Sequence, residues 1–226
     1  MTDKAAIEQA KLAAASAAIN WLKKSHPDIK SLGVGSGSTV NYVIDQLSDE
    51  LDCDFACASI QSHDRLQGKG IAPLSLNQFT QIEVAIDGAD QIDHQGQCIK
   101  GGGGAHTREK VLAYMAKTWV IVVDQTKWTN QLQNMPIAVE VIREARSYIA
   151  RQFHAQGFNP VYRIGSPTDQ GHDLLDIHGL NPSQMLAFAD LIQHWPGIVD
   201  HGLFLERTAN HVFIGHFDGS VTHHAF

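Results

Sequence analysis

Apolar and polar positions along the first 130 residues follow helical and strand-like patterns in alternation. Residues 4–24 are rich in alanine with scattered charges, which predicts a helix, and TVNYVIDQLSDEL and SHDRLQGKG predict two more. Short apolar runs of strand length lie between and after them: SLGVG, FACASI, IEVAIDGAD, QCIK and TWVIVVD. This alternation is typical of an α/β protein and predicts a Rossmann-like, largely parallel sheet with helices on both faces.

The pattern changes near residue 130. MPIAVEVI, ARSYIARQFHAQGF, PVYRIG, DLLDIHGL and the segment 182–205 predict the order strand, helix, strand, strand, helix, strand. That order is typical of a small α+β domain of ferredoxin-like type with an antiparallel sheet. The final segment, HVFIGHFDGSVTHHAF, is expected to return to the first sheet. We therefore expect a Rossmann-like domain of residues 1–130 plus 206–226, and a small α+β domain of residues 131–205.

Composition narrows the class of protein. The 226 residues are 43% hydrophobic, yet no run approaches the roughly 18 apolar residues of a membrane span. Charges spread through the N-terminal segment are unlike a signal peptide, so a cytoplasmic location is expected. A net charge of −7 argues against nucleic acid as a main partner. The sequence therefore predicts a protein with neither a membrane nor a nucleic-acid partner, which leaves small molecules as candidate ligands.

A first candidate site is GVGSGST, residues 33–39, where a strand turns into a helix. Backbone amides at a helix N-terminus can bind a phosphate, and the hydroxyls of Ser36, Ser38 and Thr39 add donors. A dinucleotide site fits less well because the third small residue falls on Ser38, and the Walker lysine is missing. Lys127 follows another apolar strand and could hold the same phosphate. A capped turn without ligand and a surface lysine are the alternatives.

Acidic and basic residues follow two further strands. Asp87 and Asp90 end IEVAIDGAD, and two crowded carboxylates raise each other's pKa, which suits proton transfer near neutral pH. In IKGGGGAHTREK, Lys100 precedes four glycines and Glu109 lies in the first turn of a helix. The glycines at 101–104 would let the backbone pass close to a ligand. The alternatives are a solvated Asp-Gly turn, a flexible linker and a glutamate that serves the helix dipole.

Six segments together resemble the type A ribose-5-phosphate isomerase family. They are GVGSGSTV, IDGADQID, IKGGGGAHTREK and VVDQTKW, followed by MPIAVEVI and VDHGLF, in that order along nearly the whole chain. The resemblance implies an aldose-ketose isomerase that interconverts ribose 5-phosphate and ribulose 5-phosphate through an enediolate. It also implies a homodimer and no metal or organic cofactor, because proton transfer beside a carbonyl needs only a base and oxyanion donors.

The resemblance assigns roles to individual residues. Glu109 matches the base that moves a proton between C1 and C2, and Asp87 the acid that assists ring opening and shuttles protons between O1 and O2. Asp90 would hold substrate hydroxyls, and Lys100 would stabilise the enediolate. The other positions that match substrate-binding residues are Ser36, Gly37, Ser38, Thr39, Gly88, Ala89, Gly101, Gly102, Gly103 and Lys127, with Lys11 as a further phosphate contact.

The chain departs from the family pattern at four positions. Gln91 stands where glutamate is usual, Ser36 where threonine is usual, His63 in a hydroxyl position and His106 in place of an apolar residue. These changes concern substrate positioning and leave the proton-transfer groups intact. A second class of function is a sugar-phosphate sensor that has lost the base. It is disfavoured because Glu109 is kept.

Overall fold

The computed structural model of the protein describes residues 3–47 and 51–226. The helices are α1 (Asp3–Ser25), α2 (Ser38–Gln46), α3 (Ile60–Gly68), α4 (His106–Met115), α5 (Arg146–Ala155) and α6 (Met185–Ile192). The first seven strands are β1 (Ser31–Val34), β2 (Asp54–Cys57), β3 (Ile82–Asp87), β4 (Gln91–Asp93), β5 (Cys98–Ile99), β6 (Ala116–Asp124) and β7 (Trp128–Thr129). They are followed by β8 (Ile137–Val141), β9 (Asn159–Tyr162), β10 (Asp173–His178), β11 (Ile198–His201), β12 (Leu203–Phe204), β13 (His211–Gly215) and β14 (Val221–Ala225).

The central sheet has the strand order β14-β13-β6-β3-β1-β2. Every neighbouring pair is parallel except β13 with β14, which forms an antiparallel edge. Alternate side chains of β3 enter two cores: Val84 and Ile86 pack with α1 and α2, whereas Ala85 packs with α4. The chain runs from β1 outward to β2 and then back to β3 on the other side. The carboxyl ends of β1 and β3 therefore flank a topological switch point, where ligands of such sheets bind.

The second sheet is antiparallel, with the order β11-β8-β10-β9. Its core contains Ile149 and Phe153 of α5 and Phe188 of α6, so the two helices cover one face of the sheet. Both the element order and the strand order are those of a ferredoxin-like unit. The predicted fold class, a Rossmann-like sheet with a smaller α+β domain, is confirmed. The domain limits of 1–130 plus 206–226 and 131–205 stay predictions.

A third, small sheet joins the two larger ones. Its order is β12-β5-β4-β7, and β12 directly follows β11 of the small domain. Leu203 and Phe204 of β12 pair with Ile99 and Cys98 of β5, just before Lys100. This pairing anchors the start of the tetraglycine segment against the small domain. Within the described ranges, none of the helices has both the length and the apolar character needed to cross a membrane.

Close packing of α1 on β13 generates a stability prediction. A Cβ at Gly215 would lie 1.8 Å from the carbonyl oxygen of Ala10, a backbone atom that moves only with the helix. We expect Gly215→Ala to lower the free energy of unfolding by about 1–3 kcal/mol, the usual cost of overpacking. Urea denaturation of the variant and the wild type measures this change in the free energy of unfolding. Gly68→Ala is the matched control, because a Cβ there meets nothing within 4 Å, and it is expected to be neutral or mildly stabilising. Equal effects of the two substitutions would contradict the close approach.

Candidate active site

A cleft of about 370 Å³ opens beyond the carboxyl ends of β1, β3 and β6. The N-termini of α2 and α4 and the tetraglycine segment form its walls. The predicted site residues that line it are Lys11, Ser36, Gly37, Ser38, Thr39, Gly88, Ala89, Asp90, Lys100, Gly101, Gly102, Gly103, Glu109 and Lys127. Asp87 is fully buried and lies beneath this surface, in contact with Lys100. The fold thus brings all the predicted residues to one place.

Three charged side chains form a compact buried cluster. The Nζ of Lys100 is 3.1 Å from Oδ1 of Asp87 and 3.3 Å from Oε2 of Glu109, and it also donates to the carbonyl oxygen of Gly88. Asp87, Lys100 and Glu109 are each at most 4% exposed. The hydroxyl of Ser36 donates a hydrogen bond to Oε1 of Glu109. One cation therefore bridges two carboxylates, and a hydroxyl fixes the orientation of the second.

The backbone positions Asp87 from both sides. Its Oδ1 accepts hydrogen bonds from the amides of Ser36, at 3.1 Å, and Gly88, at 2.7 Å. A Cβ at Gly35 would lie 1.9 Å from the carboxyl carbon of Asp87, so only glycine fits where β1 ends. Oδ2 of Asp87 is buried and has no hydrogen-bond partner among the described residues. An unsatisfied buried carboxylate oxygen is costly, and this atom keeps an unused acceptor position directly beneath the cleft surface.

Burial and mutual charge shift the pKa values of this cluster. Burial, and next the neighbouring charge of Asp87, raises the pKa of Glu109 to about 7, against the opposing effect of Lys100. Burial likewise raises the pKa of Asp87, although Lys100 and the two amides favour its charged form. Burial disfavours the ammonium of Lys100, but the two carboxylates outweigh that effect and raise its pKa. Glu109 can therefore both accept and release a proton near neutral pH.

Another part of the cleft lining is suited to an anion. Helix α2 starts after Gly37, whose φ of +105° turns the chain sharply, and no side chain caps this N-terminus. Ser38 and Thr39 lie in its first turn, where the helix dipole creates a positive potential. The amides and hydroxyls of these two residues can therefore donate hydrogen bonds to an anion. Lys127 lies nearby in the cleft wall, in the turn after β6. Lys11 of α1 also reaches the cleft, where it forms an ion pair with Glu8 at 2.8 Å.

The four glycines of the tetraglycine segment have different surroundings. Gly101 and Gly104 have φ of +108° and +76°, a region that other residues rarely adopt. A Cβ at Gly102 would lie 2.8 Å from Oδ1 of Asp90, whose Oδ2 accepts the Gly102 amide at 2.7 Å. A Cβ at Gly103 would meet nothing within 4 Å, because this residue borders the open cleft. The segment is thus an ordered turn that presents backbone to the cleft.

Comparison with known proteins identifies the family. The model of the ribose 5-phosphate isomerase A (phosphoriboisomerase A) family matches residues 55–219. The chain belongs to the ribose 5-phosphate isomerase A family. It is 42% identical to ribose-5-phosphate isomerase A of Haemophilus ducreyi, over 94% of this chain and 97% of the relative. It is 39% identical to the protein of that name in Legionella pneumophila strain Corby, over 94% of this chain and 98% of the relative.

Solved structures agree with this assignment. Ribose 5 phosphate isomerase A from Neisseria gonorrhoeae superposes with a TM-score of 0.89 at 32% identity, covering 97% of both chains. A D-ribose-5-phosphate isomerase in complex with phospho-erythronic acid superposes with a TM-score of 0.88 at 30% identity, covering 97% of this chain and 99% of that one. The family prediction made from the sequence motifs is therefore confirmed.

Three of the four departures from the ribose 5-phosphate isomerase A pattern lie away from the cleft lining. Gln91 accepts a hydrogen bond from the amide of Gln133, at 2.8 Å. His63 contacts its neighbour Asp64 near the surface. His106 is buried behind Gly101, where burial lowers its pKa. Ser36 alone among these positions lines the cleft and contacts the cluster.

Sequence reasoning missed several residues that line the cleft: Ser59, Gln61, Asp124, Thr126 and Asp169. Ser59 caps α3 by accepting the amide of Ser62, and the serine before a helical pattern could have indicated this. Asp169 belongs to the loop between β9 and β10 and accepts the amide of Ile60 at 2.7 Å. No local pattern reveals that contact, because the two residues are 109 positions apart in the chain.

The cluster geometry predicts how Glu109 titrates. Carboxyl-carbon NMR of the wild-type protein should show Glu109 with a pKa of about 7. In Asp87→Asn the pKa should fall below this value, because a repelling charge is lost and Lys100 is left to Glu109 alone. Asp124→Asn is the matched control. Asp124 is buried in the same cleft wall, but its charge is not among those that shift the pKa of Glu109. A Glu109 pKa that is unchanged in Asp87→Asn would contradict the coupling.

Proposed function

We propose that the cleft interconverts ribose 5-phosphate and ribulose 5-phosphate through an enediolate, with Glu109 as the base. A member of the ribose 5-phosphate isomerase A family is an isomerase acting on this pair of sugars in the pentose phosphate pathway. The observation that carries the residue roles is the buried contact of Glu109 and Asp87 with one lysine, in a cleft that is also lined by the uncapped N-terminus of α2. Each role below rests on this arrangement.

The phosphate is assigned to the N-terminus of α2. Its free amides, the hydroxyls of Ser38 and Thr39 and the cation of Lys127 supply the donors that a phosphate dianion requires. Lys11 can add a second cation by leaving its ion pair with Glu8, which would keep the hydrogen bond that it accepts from the hydroxyl of Tyr42 at 2.7 Å. With the phosphate held there, the carbonyl end of the open-chain sugar extends towards Glu109 and Lys100.

The carboxylate of Glu109 then transfers the proton. It removes the hydrogen from C2 of the aldose, the electron pair forms the C1–C2 double bond of the enediolate, and the same carboxyl returns the proton to C1. A pKa of about 7 suits both steps, because the group must be a base in the first and an acid in the second. The hydrogen bond from Ser36 keeps one carboxylate oxygen fixed while the other reacts.

Charge on the enediolate oxygens is stabilised by preorganised donors. Lys100 is held in place by Asp87 and Glu109, so little reorganisation accompanies the reaction. Asp87, with one unpaired carboxylate oxygen, is assigned the transfer of the hydroxyl proton between O2 and O1. Asp90 and the amides of the tetraglycine segment orient the hydroxyls. A relative is solved with phospho-erythronic acid, whose planar carboxylate is chemically similar to an enediolate.

We also propose a cytoplasmic homodimer. Exposed apolar side chains of α4 and α6 (Val111, Tyr114 and Leu186) lie beside Val199 around two adjoining cavities, a surface that a second copy could cover.

The other function considered, a sugar-phosphate sensor without catalysis, needs only the phosphate end of the cleft. The buried cluster around Glu109 favours the enzyme, because a buried group of charges is costly and a sensor has no use for it.

Replacement of Glu109 tests the proposed reaction. Glu109→Gln keeps the size of the side chain and removes the base, so isomerisation of ribose 5-phosphate should fall by about a hundred- to ten-thousandfold. Exchange of solvent deuterium into the substrate should fall equally, because it reports the same proton transfer. The measurements are a coupled ketose assay and NMR of the recovered sugar.

The matched control is Glu144→Gln, another glutamate near a helix start, which is exposed and far from the cleft lining. Its activity should equal that of the wild type. If Glu109→Gln retains wild-type deuterium exchange, Glu109 is only a partner of the helix dipole and the proposed base is wrong. A wild-type protein that binds ribose 5-phosphate without converting it would support the sensor instead.

The phosphate assignment makes a separate prediction for Lys127. Lys127→Ala should raise KM for ribose 5-phosphate about tenfold or more, the value of a charge-assisted contact, with kcat little changed. This holds because the phosphate is the same in the ground state and the transition state. Lys117→Ala at the opposite end of β6 is the control and should leave both constants unchanged. A large fall in kcat at constant KM would contradict the role of Lys127.

A further inference from the structure

The tetraglycine segment is held by an arginine from the small domain. Arg163, which follows β9, donates from Nη1 to the carbonyl oxygens of Gly101, at 2.8 Å, and Gly102, at 3.1 Å. Another edge of the guanidinium is fixed by Asp176 of β10, whose carboxylate accepts hydrogen bonds from Nε, at 3.0 Å, and from Nη2. Both side chains are about four-fifths buried. The four glycines, which lose the most backbone entropy on folding, are thus restrained by two hydrogen bonds from Arg163.

Arg163 binds the carbonyls of two consecutive peptide units, and this fixes where their amides point. Both units are trans, so the C=O and N–H of each unit point to opposite sides. In the peptide between Gly101 and Gly102, the carbonyl points to Arg163 and the amide to Asp90, in the cleft wall. In the next peptide the carbonyl of Gly102 also points to Arg163, so the amide of Gly103 points away from it. Across the described ranges, no hydrogen bond has this amide as its donor.

Arg163 itself is outside the substrate cleft. It lines a separate cavity of about 340 Å³ on the far side of the glycine segment, together with Asp176 and His178. The two cavities share Asp90, Lys100, Gly101 and Gly102, so the glycine backbone is the wall between them. Among the residues that line both cavities, the glycines are the ones to which Arg163 donates hydrogen bonds, so we expect its effect on the reaction to act through the glycine peptides.

We propose that Arg163, oriented by Asp176, is a positioning residue that keeps the Gly103 amide directed at the substrate as an oxyanion donor. The inference rests on the proposed isomerase function and deepens it. Gly103 lines the same cleft as Lys100, the residue assigned to the charge that develops on the enediolate. A donor fixed before the reaction costs no reorganisation, whereas four unrestrained glycines would have to be ordered in each turnover.

The shape of the guanidinium explains why arginine serves here. Its rigid fork binds both oxygens of Asp176 on one edge and still presents Nη1 to two adjacent carbonyls. A lysine ammonium has no such fork, so it can contact a carbonyl but cannot be held in one plane by a carboxylate. Arg163 thereby contributes to the reaction without lining the substrate cleft.

Three variants test the proposal. In Arg163→Met, kcat should fall about 10- to 100-fold, as expected for a misplaced donor, and KM should change less than about threefold. Affinity for phospho-erythronic acid should fall by about the same factor as kcat, whereas affinity for erythritol 4-phosphate, which lacks the carboxylate, should be unchanged. Arg163→Lys should lie between Arg163→Met and the wild type. The control Arg143→Met removes an exposed arginine that binds the carbonyl of Gly171, and should behave as the wild type.

The outcomes separate a positioning role from a structural one. Equal loss of affinity for the acid and the alcohol, or a kcat within twofold of the wild type in Arg163→Met, would overturn the proposal. If Arg163→Met does not fold, Arg163→Lys, which keeps a cation at Asp176, provides the same comparison of the two ligands. A wild-type protein that shows no turnover would refute the isomerase function. The ratio of the two affinities would still report whether Arg163 directs the Gly103 amide.

Discussion

The arrangement around Lys100 constrains the rest of the site. Two carboxylates, Asp87 and Glu109, share one buried ammonium, and none of the three has enough contact with water to be stable alone. Their positions are therefore fixed by three separate supports: the end of β3, the pairing of β5 with β12, and the first turn of α4. The raised pKa of Glu109 follows from the same burial that makes the cluster costly. The proton-transfer ability of Glu109 and the energetic cost of burying the cluster therefore have the same physical origin.

The small domain completes the site from the other side. Glu140 in the centre of its sheet is fully buried and accepts hydrogen bonds from Thr107 of α4 and, at 2.8 Å, from Thr168 of the loop after β9. The same loop carries Asp169, which reaches the start of α3. Helix α4, with Glu109, is thus linked to the loop that lines the cleft. Loss of these contacts would loosen the cleft wall while the central sheet stays folded.

Much of this could be predicted from the sequence, and the contacts that no local pattern indicates have a common reason. The strand ends that carry Asp87 and Lys100 and the helix start that carries Glu109 each leave a local pattern of apolar residues followed by polar ones. Asp169, which was missed, contacts the start of α3 at a separation of 109 residues, and Arg163 contacts Gly101 at a separation of 62. The orientation of a peptide or a loop depends on a partner more than fifty positions away, which periodicity cannot report. Short pairings such as β12 with β5 are also too brief to produce a pattern.

The placement of the site along the chain has a consequence for folding. The groups assigned to proton transfer all lie within residues 87–109, whereas those assigned to the phosphate are divided among Lys11, residues 38–39 and Lys127. Since the entropy lost on closing a loop grows with its length, the first set can be brought together at lower cost than the second. The second requires β1, β3 and β6 to be paired in register first. Substrate recognition is therefore a property of the completed sheet, and a partly folded chain that had assembled its reactive carboxylates would still have no means of holding a sugar phosphate against them.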